Sequence, residues 1–247
     1  MKSTSETGHA KNVAGLKKII EECLSLQKNY QPSNSAITLT ALSSTANAAQ
    51  EAMEAVSNTK PVFDNAIDVR NVEGNNMSVL ITRSMGSLIS SGASEQSIAN
   101  VKTIYNKIKG YSKKDKNGQP ETPPIETEDK TIIAISISQQ SFDMRLAHFG
   151  DFIETLKNEP KYQPNEADLT ITALETMYNN LNTLNKIATD VSIVYKNAII
   201  ARNKILYAPG TGIVDLSKKV KAYLLSVLGA TDPVYKRIKA IPFKKLI

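Results

Sequence analysis

His148, Asp151 and Glu154 stand at i, i+3 and i+6, which on a helix aligns an imidazole and two carboxylates as metal ligands. Metal sites in helical bundles need Glu and Glu-x-x-His ligands converging from several helices. This chain has two histidines, and the other, His9, falls in a polar N-terminal tail. The trio therefore reads as a solvated helix face, and no metal site is expected. Cys23 is the single cysteine, so an internal disulfide and a cysteine-based metal site are both excluded. It shares an apolar stripe with Val13, Leu16 and Ile20, where a thiol packs as a small hydrophobe. No Gly-x-Ser-x-Gly elbow, Walker-type loop or dinucleotide fingerprint occurs. Ala208-Pro209-Gly210-Thr211-Gly212 lacks the lysine and spacing of a phosphate loop. The expectation is a protein with no catalytic residues and no cofactor.

Two polar patterns remain. Asn65 with Arg70-Asn71 recurs as Asn197 with Arg202-Asn203, 132 residues later. An arginine beside an apolar seam can hold a carboxylate across a bundle and fix its register, or bind an anionic ligand; the structural role is the expected one. The second pattern is charge. Residues 201–247 hold ten Lys or Arg and two Asp, a net of +8, whereas the whole chain carries +6. Lys218, Lys219, Lys221, Lys236, Arg237, Lys239, Lys244 and Lys245 make a candidate anion-binding end, for nucleic acid or an anionic surface. Against this, lysines on outer faces and near helix C-termini are ordinary solvated charges.

The elements that position these groups come in two copies. Tyr30-Gln31-Pro32, Thr38-Leu39-Thr40-Ala41-Leu42 and Asn65-Ala66-Ile67 recur, at the same offset of 132, as Tyr162-Gln163-Pro164, Thr170-Ile171-Thr172-Ala173-Leu174 and Asn197-Ala198-Ile199. Each copy reads as four helices, A to D. Helix A starts near Val13. Helix B starts at Ser33 or Asn34 as N-cap and carries the seam Leu42, Ala49, Ala52, Val56, Val62, Ala66 and Val69. Pro61 lies inside it and is expected to kink or interrupt it. Helix C covers 76–90 and ends at Gly92 in the left-handed position; Ser94 caps helix D. In the second copy A′ carries Phe142, Leu146, Phe149, Ile153 and Leu156, and B′ starts at Asn165 with Asp168 in a capping-box-like pair. B′ runs uninterrupted to Leu206, about 60 Å at about 1.5 Å per residue. C′ ends at Gly229 and D′ opens with Asp232-Pro233. In this region the offset becomes 137, a gain of five residues around 207–212.

The fold class expected is all-α, a tandem duplication of a short-long-short-shorter helical unit forming an elongated bundle. Its parts are a flexible tail (1–12), repeat 1 (13–109), a charged, proline-containing linker with an extended segment (110–140), and repeat 2 with the basic end (141–247). A packs on the first half of B and C on the second half. The segment 131–138, TIIAISIS, alternates like a strand; it lies across a groove, pairs with a second subunit, or joins the following helix.

Arg202-Asn203-Lys204-Ile205-Leu206-Tyr207, Gly212-Ile213-Val214-Asp215, Val220-Lys221-Ala222-Tyr223 and Leu228-Gly229-Ala230-Thr231-Asp232-Pro233-Val234-Tyr235-Lys236 together resemble a group of uncharacterised bacterial proteins with a tandem helical repeat. The resemblance covers most of the second copy and, more loosely, the first. It implies the same fold and brings no activity with it.

At 41% hydrophobic and 22% charged residues the chain is ordinary for a globular protein. It has no apolar run of about 18 residues that would span a bilayer, and its N-terminus lacks the apolar core of a secretory signal. A cytoplasmic location is expected. A membrane-active toxin would need an exposable apolar hairpin, and TIIAISIS is too short to supply one. The function expected is structural or interaction work through a long helical surface, with a protein partner or a homo-oligomer. The alternative is a basic adaptor binding nucleic acid or an anionic surface.

Overall fold

The computed structural model describes residues 7–110 and 141–246. Among these residues the protein is all-α, with seven α-helices and no strand: α1 Thr7–Ser25, α2 Leu39–Ser90, α3 Glu95–Lys109, α4 Phe142–Lys157, α5 Ile171–Tyr207, α6 Ile213–Leu228 and α7 Pro233–Ala240. The extended segment expected at 131–138 lies outside the described residues.

Several expected boundaries move. Helix α1 begins at Thr7 instead of near Val13, because residues assigned to the polar tail have distant partners. His9 Nδ1 lies 2.6 Å from the Tyr207 hydroxyl, and Asn12, only 1% exposed, donates to the Lys244 carbonyl at 2.8 Å. Neither contact leaves an apolar period to read. The long helices start later than expected. Asn34 caps a 3-10 turn at Ser35–Ile37, and Thr38 then accepts from the Ala41 amide as α2 begins. In α5 Thr170 does the same for Ala173, so Asn165 and Asp168 lie before that helix.

Helices B and C of the first copy are one helix, the 52-residue α2. It continues through Pro61, so the expected interruption does not occur. Proline removes one amide donor and crowds the carbonyl four residues back. That carbonyl belongs to Ser57, which is exposed, so water can satisfy it. The turn-rich stretch 208–212 does break the helix, and α5 ends at Tyr207 before α6 begins at Ile213. Gly210 adopts φ +75°, a left-handed conformation that glycine takes without steric cost. A Cβ on Gly212 would stand 2.6 Å from the Ala208 amide nitrogen, so the turn closes only around glycine.

Other local signals hold. Gly92 has φ +77°, Ser94 caps α3 by accepting from Ser97 N, and Asp232 caps α7 by accepting from the Val234 and Tyr235 amides.

The contacts form two compact units, 1–63 with 191–247 and 64–190. The expected parts followed the copies; these units cut across them. In the first, Leu16, Ile19 and Cys23 of α1 share a core with Leu42, Ala46 and Ala49 of α2, Leu206 of α5, and Leu216, Val220 and Leu224 of α6. In the second, Met77, Ile81 and Leu88 of α2 pack with Val101 and Ile108 of α3, Phe149, Phe152 and Leu156 of α4, and Leu174 and Leu181 of α5. A short helix covers only part of the apolar stripe of a long one, and in each core helices distant in sequence supply the remaining cover.

Candidate functional site

The repeated Arg-Asn feature resolves into two different local structures. In the second unit the Arg70 guanidinium lies over the Phe142 ring, 4.6 Å from its centroid, and donates through Nη1 to Asn185 Oδ1 at 3.1 Å. Asn185 in turn donates to Asp143 Oδ1 at 2.5 Å. The chain Arg70–Asn185–Asp143 ties α2, α5 and the start of α4 together, with a cation–π contact adding to it. Four residues on from Arg70, Gly74 leaves room for the same ring, since a Cβ there would sit 3.0 Å from Phe142 Cε2. In the first unit Arg202 is 4% exposed and donates from Nε and Nη2 to Asn203 Oδ1 at 3.1 and 2.8 Å. Asn65, Asn71 and Asn197 are exposed. The arginines thus turn inward and the flanking Asn65 and Asn197 turn outward.

Half of the basic end is engaged within its own unit. Arg237 grips Glu22 through two bonds, 2.9 Å and 2.7 Å, and the Arg237 guanidinium holds the Glu22 carboxyl below its usual range. Lys221 donates to the Ile241 carbonyl at 2.5 Å and the Lys239 carbonyl at 3.2 Å; burial pushes its ammonium below the ordinary lysine value. Lys218 pairs with Asp215 at 2.9 Å, and Lys219 caps the Gly210 carbonyl at 2.6 Å. The backbone of Lys244 is clamped by Asn12, which donates to its carbonyl and accepts from its amide. Lys236, Lys239 and Lys245 stay exposed. Four of these eight cations, Lys218, Lys219, Lys221 and Arg237, thus brace helix ends and the C-terminal chain through their side chains.

The His148 trio does not converge. His148 Nδ1 is 3.6 Å from Asp151 Oδ2, and no cluster of three His, Cys, Asp or Glu side chains able to hold a metal ion occurs among the described residues. Cys23 is fully buried, and burial pushes its thiol up to about 12. An open cleft of about 560 Å³ in the second unit is lined by Arg83, Ser87, Ser90, Lys161, Gln163 and Glu166, among others. Its arginine is neutralised by Asp168 through two bonds, and no nucleophile–base pair faces it.

The sequence reading missed the outward faces of the long helices. On α2, Val62, Val69, Val72 and Val79 are 56%, 41%, 58% and 58% exposed; on α5, Ile187, Ile193, Val194 and Ile200 are 46%, 52%, 55% and 64% exposed. Val62 and Val69, which the sequence places in the seam of helix B, thus lie on the outer face. The signal that separates them was present: the core residues Met77, Ile81, Met85 and Leu88 of α2 follow one set of three- and four-residue steps, and the exposed valines follow another. No protein-family model, curated protein or solved structure matches the chain. Among the described residues no helix is long and apolar enough to cross a membrane.

Proposed function

We propose that this is a non-enzymatic structural or interaction protein that presents the outer faces of its long helices to a protein partner, as part of a larger assembly. One observation carries the reading. Large β-branched apolar side chains recur outside both cores along α2 and α5, and contiguous apolar surface marks interaction sites where scattered residues do not. The α2 face stands apart from the core by spacing, since Arg70, Gly74, Met77 and Ile81 face the interior while the valines alternate with them. We read the doubled sequence as a duplication, supported by the same tyrosine bond in each copy: Tyr30 to the Ile37 carbonyl and Tyr162 to the Leu169 carbonyl.

Sedimentation velocity of the full chain over a wide concentration range, alone and after affinity isolation from its source, tests the reading. Concentration-dependent association or a stoichiometric bound protein is expected. A monomer at every concentration with nothing bound would contradict it.

A further inference from the structure

The outward stripe of α2 is a palindrome. Its residues step by three and four: Val62, Asn65, Val69, Val72, Asn76 and Val79, the spacing of the a and d positions in a coiled coil. Read from either end, the order is Val, Asn, Val, Val, Asn, Val. All six are exposed. Of the side chains between them, Arg70 turns inward onto Asn185 and Phe142 and Met77 sits in the core at 1% exposure. The stripe therefore belongs to the exposed face of a helix whose opposite side, with Met77 and Ile81, is packed in the core. At about 1.5 Å per residue it extends about 26 Å from residue 62 to residue 79.

We infer that this stripe is the contact between two copies of the chain, with the two α2 helices antiparallel about a twofold axis. A twofold interface sets residue i against j and j against i. Antiparallel pairing centred between residues 70 and 71 sets Val69 against Val72 of the second copy, Asn65 against Asn76, and Val62 against Val79. Every valine meets valine, and every carboxamide meets a carboxamide able both to donate and to accept. A one-step slip puts asparagine against valine and leaves polar groups without partners, so the two asparagine layers fix the register.

Charge selects the orientation. Asp68 and Glu73 flank the stripe on opposite sides. In a parallel pair the flanking positions meet five residues apart, which sets Asp68 against Glu73 of the other copy, twice over, and like charges there are unfavourable. In the antiparallel pair Asp68 faces Asn75 and Glu73 faces Ala66. The stripe also has an end: one layer beyond Val79 stands Arg83, already paired with Asp168 inside its own unit.

The second copy of the duplication does not keep the pattern. Val194, Asn197, Ala201 and Lys204 stand where Val62, Asn65, Val69 and Val72 stand in the first, and the chain leaves the helix at 208. The uninterrupted α2 alone carries the whole palindrome.

This inference rests on the interaction reading above, and cysteine pairing separates the two. Full-length variants Val69→Cys, Val72→Cys, Asn65→Cys and Asn76→Cys are oxidised singly and in mixtures at high protein concentration; native Cys23 is buried and does not compete. The antiparallel pair brings Cβ atoms within disulfide reach only across the matched layers. Val69→Cys mixed with Val72→Cys, and Asn65→Cys mixed with Asn76→Cys, should give covalent heterodimers, with each variant alone giving several-fold less. Strong self-linking of Val69→Cys alone would overturn the antiparallel pairing. No linking in any mixture, while the unmodified protein still associates in the centrifuge, would overturn the α2 contact and leave the interaction reading standing. A protein that is monomeric throughout and captures no partner would remove both.

Discussion

The Tyr30 hydroxyl donates to the Ile37 carbonyl at 2.5 Å, with both residues buried, and this bond closes the turn that feeds α2. Tyr162 makes the corresponding bond to Leu169 at 2.7 Å ahead of α5. The repeated Tyr-Gln-Pro motif is thus a clasp that sets where each long helix starts. In the first unit the clasp is braced further: the Tyr223 ring meets Tyr30 edge-on at 5.3 Å, and its hydroxyl accepts from the Gln31 amide.

Tyr30→Phe and Tyr162→Phe keep the ring and remove the donor, leaving a buried carbonyl unsatisfied. Each should cost about 1–3 kcal/mol, which for a chain of this size lowers Tm by about 2–4 °C per kcal/mol. Urea and thermal unfolding of the two variants check this, and unchanged stability in both would mean that water replaces the hydroxyl.

Glu22 and Arg237 give a pH dependence with a defined sign. Because the folded Glu22 carboxyl lies below its usual value, its contribution is complete above the unfolded carboxylate pKa, about 4.3. It is lost as pH falls through the folded value. The stability difference between the protein and Glu22→Gln should therefore be largest near neutrality and shrink below about pH 4. Unfolding curves at several pH values read it directly; both groups are solvent-accessible, so the effect is small and falls with salt.

Pro61 is tolerated inside α2 at a cost. Pro61→Ala restores an amide donor and removes the ring clash, and should raise stability by up to about 3 kcal/mol. A loss of stability in Pro61→Ala would show that the ring makes a packing contact worth more than the missing hydrogen bond.

Cys23 should resist alkylation in the native protein. With its thiol near 12, only about one part in ten thousand is thiolate at about pH 8, and the sulfur is covered. Labelling with iodoacetamide should follow global unfolding in urea; rapid labelling without denaturant would show that α1 opens by itself.

Apolar periodicity located the helices because each buries one stripe, and the caps at Ser94 and Asp232 and the left-handed Gly92 follow from rules confined to a few residues. What the sequence hid depends on distant groups. Helix α1 extends back to Thr7 because His9 meets Tyr207 and Asn12 holds Lys244. The stretch Gly74-Asn75-Asn76 is helical in α2 despite its low helix propensity, and the fit of the Phe142 ring against Gly74 follows from no local rule. The engagement of Arg237 and Lys221 is not legible in the sequence because their partners belong to α1 and to the C-terminal chain. A three-four pattern marks an apolar face without saying which of two faces a core covers, and so Val62 and Val69 were assigned inward.

The central claim is that the outer face of α2 serves a partner and not the fold. Val69→Glu with Val72→Glu brings in a residue of higher helix propensity than valine and places charge at two exposed positions. Sedimentation equilibrium of this double variant beside the unmodified protein, with thermal unfolding of both, tests the claim most directly. Association abolished with Tm unchanged within a few degrees is the predicted result; undiminished association, or a fall in Tm typical of a core substitution, would contradict it.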